Sequence, residues 1–279
     1  ETYTEALTHD EEWVSKYVKG QWGISSAQIH TLPSAAHLNY DEKFLEKILR
    51  RGNLFRVLDH GDASPTCCLW FAVLDGSFIC YREYYVPSKP ISYHRKAIAE
   101  LSGDEKYSAN YADPQIFKTT SQKDGGFWST ANEYADSHLD APPLHFVPAD
   151  NNEFATRNRI NERLLASKLF RHPITGDTPA IGLYFIKKSA LYPNGCYHAI
   201  SELQSQRRKS LGYIDGKQIF CDDREDSVAD HSYDCVRYFV AQHGSNRNFP
   251  GPKPPRLSIK FYKEVLKKRK WAQAQPMSA

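Results

Sequence analysis

Three short apolar runs separated by turn residues constrain the fold of this chain more than any other stretch of its sequence. The runs occupy residues 54–58, 67–74 and 77–81. Short apolar runs bounded by turn residues are typical of β-strands, and the Asp75-Gly76 pair between the last two is a frequent hairpin turn. The sequence therefore predicts a three-stranded antiparallel meander.

Asp59 follows the first of these runs directly. A carboxylate at the end of a central strand lies at the rim of the sheet, and burying it without a partner would be costly. We interpret Asp59 as the first ligand of a metal site whose other ligands come from later parts of the chain. The alternative is that Asp59 only caps a turn, since Asp is a favoured turn residue.

The composition narrows the classes of protein that this chain can belong to. Its 279 residues are 41% hydrophobic, which is enough to bury a core. The six cysteines form no Cys-x-x-Cys pair, which favours buried free thiols in a reducing compartment over a zinc site. No apolar run has the length of a membrane span, and no phosphate-binding Gly-x-x-x-x-Gly-Lys-Ser/Thr loop is present. The net charge is only +3, but basic residues are concentrated in residues 250–279.

Other elements are predicted on both sides of the meander. Helices are predicted at residues 10–18, 41–50, 92–101, 129–138, 153–169 and 229–240. Strands are predicted at residues 111–113, 144–148 and 182–186, with a basic loop at 206–209. A meander, a helix and a returning strand favour a mixed sheet with its first strand near the centre. Arginines on the helix at 153–169 would form a solvated face or, alternatively, a groove that faces phosphates.

Four aspartates lie where predicted elements begin or end. Asp113 ends a short strand before a proline, and Asp230 and Asp234 lie one turn apart on the helix at 229–240. With Asp59 they would form a set of oxygen donors that suits Mg²⁺ or Mn²⁺. Two such ions about 4 Å apart can bind both the attacking and the leaving oxygen of a phosphodiester. Because aspartates are common, their spacing alone is weak evidence.

The order of several motifs resembles the C-terminal nuclease domain of the large subunit of tailed-phage terminases. The motifs are LDHGDASPT at residues 58–66, YREYY at 81–85, ADP at 112–114 and DHSYDCVRY at 230–238. Each motif is loose, but their order and spacing over residues 52–243 match the family. Residues 17–22 also resemble the end of the ATPase portion that precedes this nuclease.

The resemblance implies an α/β chain with an RNase H-like fold, in which helices flank a mixed central β-sheet. It implies an endonuclease that uses two Mg²⁺ or Mn²⁺ ions to cut double-stranded DNA concatemers during phage genome packaging. Expected partners are double-stranded DNA, the terminase small subunit and the portal protein of the procapsid, in the host cell cytoplasm and without a membrane. Asp59 and Asp113 match the family's first two acids. The family has an acid or a histidine at the third position, so Asp230, His231 and Asp234 all remain candidates.

Helix geometry ranks these three candidates for the third ligand. Asp230 and Asp234 are four residues apart and can point the same way, whereas His231 is rotated by about 100° from Asp230. His231 would therefore reach the same metals only if the helix began at the rim of the sheet. We expect Asp230→Ala to lower activity most and His231→Ala to lower it least.

The resemblance also divides the chain into three parts. Residues 1–50 would connect to an upstream ATPase domain, residues 51–249 would form the nuclease domain, and residues 250–279 would form a Pro-rich linker and a basic tail. Two other functions remain open. One is another RNase H-like nuclease of the resolvase or integrase type, which should lack the 230–238 pattern. The other is a DNA-binding or assembly module whose acids are structural and whose affinity for Mn²⁺ does not depend on Asp59.

Overall fold

The computed structural model describes residues 27–243, apart from residues 124–125, 139–140 and 215–216. Within these residues seven strands form one mixed sheet, which confirms the predicted fold class. The predicted helix at 10–18 and the basic tail lie outside the described residues. The division into three parts therefore stays a prediction.

Helices and strands are interspersed along the described residues, with consecutive strands in the meander and in two further hairpins. The strands are β1 (His37–Leu38), β2 (Asn53–Asp59), β3 (Pro65–Leu74), β4 (Ser77–Pro87), β5 (Tyr107–Ala112), β6 (Thr119–Lys123), β7 (Gly126–Ser129), β8 (Val147–Pro148), β9 (Leu183–Ile186), β10 (Arg208–Ile214) and β11 (Lys217–Arg224). The helices are α1 (Glu42–Arg51), α2 (Ile91–Ser102), α3 (Thr130–Ala135), α4 (Glu153–Leu164), α5 (His198–Ser205) and α6 (His231–His243). Short 3-10 helices occupy Ser34–Ala36 and Pro114–Phe117.

The seven strands of the main sheet follow the order β1-β9-β4-β3-β2-β5-β8. Strands β2, β3 and β4 form the predicted antiparallel meander, and β5 pairs with β2 in parallel. Asp75 and Gly76 join β3 to β4 with φ values of 51° and 84°, as a two-residue hairpin turn requires. The first strand of the meander therefore lies inside the sheet, between β3 and β5.

Successive side chains of the central strands point to opposite faces of the sheet, and each face packs against its own helix. On one face, Arg56 and Trp70 both donate hydrogen bonds of 3.1 Å to Ser102 of α2. On the other face, Phe71 stacks on Phe239 of α6 with ring centroids 4.1 Å apart. Phe55 also contacts Phe239, and successive side chains of a strand point to opposite faces. Asp59 shares the face of Phe55 and therefore faces α6.

Several element boundaries differ from the sequence-based predictions. The strand predicted at 144–148 is reduced to Val147–Pro148, α3 ends at Ala135, and α4 ends at Leu164. The prediction of a loop at 206–209 was wrong, because Arg208 begins the antiparallel hairpin β10–β11. A second hairpin, β6–β7, was not predicted.

The prediction of a solvated basic face on the helix at 153–169 was wrong for two of its arginines. Arg157 and Arg163 are buried, with 7% and 8% of their surface exposed. Arg163 stacks on the Phe78 ring at 3.3 Å and donates to the carbonyl oxygens of Gly76 and Gly182. These guanidinium groups are retained in the interior because backbone carbonyls and an aromatic ring replace water.

Buried histidines make the stability of this fold sensitive to acid. Burial lowers the pKa of His30, His94 and His243 to about 4 in each case. The unfolded chain then binds more protons than the folded one, so stability is lost as the pH falls from about 6.5 towards 4. His243 packs against Phe55 and Phe239 at the end of α6.

We expect His243→Leu to reduce the acid sensitivity of the fold. Urea denaturation at about pH 7 and about pH 5 would give the change in the free energy of unfolding between the two. That change should be smaller in His243→Leu than in the wild type, because one group no longer takes up a proton on unfolding. His138→Leu, at an exposed position, is the control. An unchanged pH dependence in His243→Leu would contradict this account.

Candidate metal centre

Asp59 and Asp113 end neighbouring parallel strands. The register pairs Leu58 of β2 with Ala112 of β5, so the two acids are the next residues on adjacent strands. The Asp113 amide also donates to the Leu58 carbonyl at 3.1 Å, which continues the ladder by one residue. The Asp113 carboxylate accepts a bond from the Gln115 amide at 3.0 Å and so begins the 3-10 helix. Sheet topology therefore brings together two acids that are far apart in sequence.

A tight loop follows Asp59 and holds the end of β2 in place. A Cβ atom at Gly61 would lie 2.5 Å from the Ser64 carbonyl oxygen and 2.7 Å from that of Pro65, so glycine is required there. Thr66 donates from its hydroxyl to the Gly61 carbonyl at 2.9 Å. Asp62 lies in this loop and is exposed.

His231 begins α6 and contacts the carboxylate of Asp59. Its Nδ1 lies 3.0 Å from Asp59 Oδ2, and only 12% of the Asp59 side chain is exposed. The condition under which His231 could reach the site is therefore met: the helix begins at the rim of the sheet. Because Nδ1 is occupied by Asp59, Nε2 is the ring nitrogen left to bind a metal or transfer a proton.

Asp230 and Asp234 are held by arginines instead. Arg224, at the end of β11, lies 2.7 Å from Asp230 Oδ2 and 3.2 Å from Asp234 Oδ1. Arg237 contacts the same oxygen of Asp234 at 2.9 Å and also donates to Asn151. Arg224 was not predicted as part of the site, since nothing in the sequence shows that a hairpin brings it to α6.

The charges of the acids act on one another. Burial, helped by the negative charges of Asp234 and Asp113 and opposed by the bond to His231, raises the pKa of Asp59 to about 6. The bond to Asp59 raises the pKa of His231. Burial and the charge of Asp234 raise the pKa of Asp230. Asp59 therefore lies where negative charge is only partly compensated, and a cation would relieve that repulsion.

The donor chemistry at this edge fits a hard divalent cation. Carboxylate oxygens are the ligands that Mg²⁺ and Mn²⁺ prefer, and imidazole is an acceptable additional ligand. In the part of the chain that the structure describes, no three such side chains are grouped closely enough to hold a metal ion. The ligand set is therefore a proposal from Asp59, Asp113 and the side chains of α6, and no coordination geometry is assigned to it.

The fold and this acidic edge define a class: an RNase H-like α/β protein with carboxylates at the ends of its two central parallel strands. The particular likeness is to phage large terminases. The large terminase from a thermophilic bacteriophage is similar with a TM-score of 0.56 and 12% sequence identity, over 86% of this chain and 51% of that chain. This chain thus spans about half the length of that terminase.

Two nuclease domains of large terminases are also similar. The domain from bacteriophage P22 has a TM-score of 0.48 and 12% identity, over 78% of this chain and 93% of that one. The domain from bacteriophage SPP1, crystallised with bound Mn, has a TM-score of 0.43 and 13% identity, over 76% of this chain and 99% of that one. No protein-family model matches the chain, and no curated protein matches it. The predicted resemblance to large terminases is confirmed at the level of the fold.

The geometry at α6 reverses the argument that ranked Asp230 first among the three candidates. Asp230 precedes the helix and pairs with Arg224, whereas His231 already contacts Asp59. We expect His231→Ala to weaken Mn²⁺ binding by about 10-fold to 100-fold in titration calorimetry. Asp234→Ala should have a smaller effect, and Asp230→Ala the smallest. A larger loss of affinity in Asp230→Ala than in His231→Ala would restore the order that the sequence suggests.

Proposed function

We propose that this chain is the nuclease part of a phage large terminase, which cuts double-stranded DNA concatemers by metal-dependent hydrolysis during genome packaging. One observation carries the proposal: Asp59 and Asp113 lie side by side at the ends of β2 and β5, with His231 bonded to Asp59. The fold shared with the large terminase of the thermophilic phage supports it. Double-stranded DNA as the substrate is what the resemblance to terminases implies.

Each residue of the site would have its own role. Asp59 and Asp113 would hold a divalent cation, Mg²⁺ or Mn²⁺, with His231 or Asp234 as a further ligand. When bound, one or two such ions supply charge that stabilises the attacking and leaving oxygens of the phosphodiester. His231 orients Asp59 through their 3.0 Å bond and keeps Nε2 available to bind the ion or accept a proton from water. Arg224 and Arg237 keep the surrounding negative charge balanced until the ion arrives.

The partners and the location belong to the same proposal. Double-stranded DNA would be the substrate, and the terminase small subunit and the portal protein would be the protein partners, in the host cell cytoplasm. Among the described residues, no helix is long and apolar enough to cross a membrane. The basic residues of 250–279 and of the hairpin β10–β11 are candidates for phosphate contacts.

The other two functions predict different behaviour. A nuclease of the resolvase or integrase type would prefer branched substrates or DNA ends over linear duplex DNA. A DNA-binding or assembly module would bind DNA without cutting it, and its affinity for Mn²⁺ would not depend on Asp59. The position of Asp59 beside Asp113 favours a nuclease over the module, because two neighbouring carboxylates repel each other and a bound cation would relieve that repulsion.

We expect Asp59→Asn and Asp113→Asn each to lower the cutting of plasmid DNA in Mn²⁺ or Mg²⁺ by at least about 100-fold. The amide removes the charge that binds the cation and changes the side-chain volume very little. Asp62→Asn, in the exposed loop three residues after Asp59, is the matched control and should cut like the wild type. Circular dichroism would show whether each variant is folded. Substantial cutting by either folded variant would exclude that acid as an essential ligand.

Deletion of residues 251–279 should weaken DNA binding and leave Mn²⁺ binding intact. If the basic residues of this tail neutralise phosphates, the dependence of DNA affinity on salt should be less steep in the truncated chain. Fluorescence anisotropy of labelled duplex DNA at several salt concentrations would measure both slopes. Equal slopes would show that the tail does not contact the phosphates of DNA.

A further inference from the structure

Glu202 lies next to the acidic edge but takes no part in the chemistry proposed above. It belongs to α5, and only 4% of its surface is exposed. Its Oε2 accepts bonds from the backbone amides of Ser232 at 2.6 Å and Tyr233 at 3.1 Å. These amides follow His231 directly, so a carboxyl group from another helix caps the first turn of α6.

The cap matters because the first amides of a helix have no partner within the helix. Residues that begin a helix usually supply a cap from their own side chains, as Asp41 does for α1 by accepting from the Phe44 amide at 2.8 Å. At α6 the partner comes from a different element. The point at which α6 begins therefore depends on where α5 lies.

Glu202 is itself held from several directions. The Tyr85 hydroxyl of β4 donates to its Oε1 at 2.7 Å. Gln206, one turn further on, donates to the carbonyl oxygens of Glu202 and Ala229, which links α5 to the segment before α6. The ring of Tyr85 also lies 6.2 Å from the ring of His231.

The helix that carries Glu202 is capped in the same way by the sheet. Glu83 of β4 accepts bonds from the amides of His198 at 2.9 Å and Ala199 at 2.7 Å, at the beginning of α5. The order of contacts is then β4 to α5 through Glu83, α5 to α6 through Glu202, and α6 to β2 through His231 and Asp59. Glu83 and Glu202, both buried, therefore link β4 to β2 through α5 and α6.

We propose that Glu202 is a positioning residue: by capping α6 it sets His231 against Asp59 and so determines the geometry of the metal site. This inference rests on the proposed nuclease function. The positioning role requires only that a side-chain oxygen of Glu202 accept hydrogen bonds from the two backbone amides. A carboxyl group that merely stabilises the fold would change the unfolding temperature and leave the folded site as it is.

Two variants separate positioning from stability. Glu202→Leu keeps a side chain of similar size but removes both acceptor oxygens, so the amides of Ser232 and Tyr233 lose their partner. Tyr85→Phe removes only the hydroxyl that holds Glu202 and leaves the aromatic stacking on His198. Asp41→Ala is the control, since it removes a carboxylate cap from α1 and touches no residue of the site.

Three quantities should be measured for each folded variant: the rate of plasmid cutting at saturating DNA, the affinity for duplex DNA, and the affinity for Mn²⁺ by calorimetry. We expect Glu202→Leu to lower the cutting rate and the Mn²⁺ affinity by about 10-fold to 100-fold and to change DNA affinity by less than about 2-fold. Tyr85→Phe should change the same quantities in the same direction by a smaller factor. Asp41→Ala should lower the unfolding temperature alone.

The possible outcomes are distinct. If Glu202→Leu and Tyr85→Phe bind Mn²⁺ and cut like the wild type while folded, the positioning role is wrong even if their unfolding temperatures fall. If Glu202→Leu does not fold, wild-type cutting and Mn²⁺ affinity in Tyr85→Phe overturn the role alone. If the wild type neither binds Mn²⁺ nor cuts DNA, the proposed function fails, and this inference fails with it.

Discussion

The bond between Asp59 Oδ2 and His231 Nδ1 joins the central strand of the sheet to the beginning of α6. This contact links the two elements that carry the proposed metal ligands. Sheet pairing fixes Asp59 beside Asp113, and the packing of Phe239 on Phe71 holds α6 against the same face. A rigid sheet and a docked helix can hold such side chains more precisely than loops can.

The acids around that contact differ in whether an arginine already balances their charge. Asp230 and Asp234 share Arg224, and Asp234 also contacts Arg237, so each has a positive partner. Asp59 has only a histidine, and its raised pKa reflects the burial and the neighbouring acids. Arginines balance the charge of Asp230 and Asp234, whereas Asp59 and Asp113 remain available to bind a cation. Arg224 also ties the hairpin β10–β11 to α6.

The sequence predicts the parts of this structure that depend on local pattern. The apolar runs and the Asp75-Gly76 turn identify the meander, and proline after Asp113 marks the end of a strand. Contacts between distant elements could not be predicted in this way. Glu83 caps α5 and Glu202 caps α6, and no local pattern in the sequence indicates either contact. Arg163 is buried because carbonyls from two loops meet its guanidinium.

The choice among Asp230, His231 and Asp234 shows the same limit. Sequence spacing gives the angle between side chains on a helix, but it does not give the residue at which the helix begins. That residue is His231, and Glu202 on α5 accepts hydrogen bonds from the backbone amides that follow it. A tertiary contact, and not helical periodicity, therefore decides which side chain meets Asp59.

The most direct measurement is a crystal structure of the protein soaked in Mn²⁺, with anomalous scattering used to locate the ions. The account predicts an anomalous peak at the edge of the sheet, coordinated by Asp59 and Asp113, with the His231 ring in contact with the ion or with Asp59. A peak coordinated by Asp230 with His231 turned to solvent would contradict the account. So would a fully soaked crystal with no anomalous peak at Asp59.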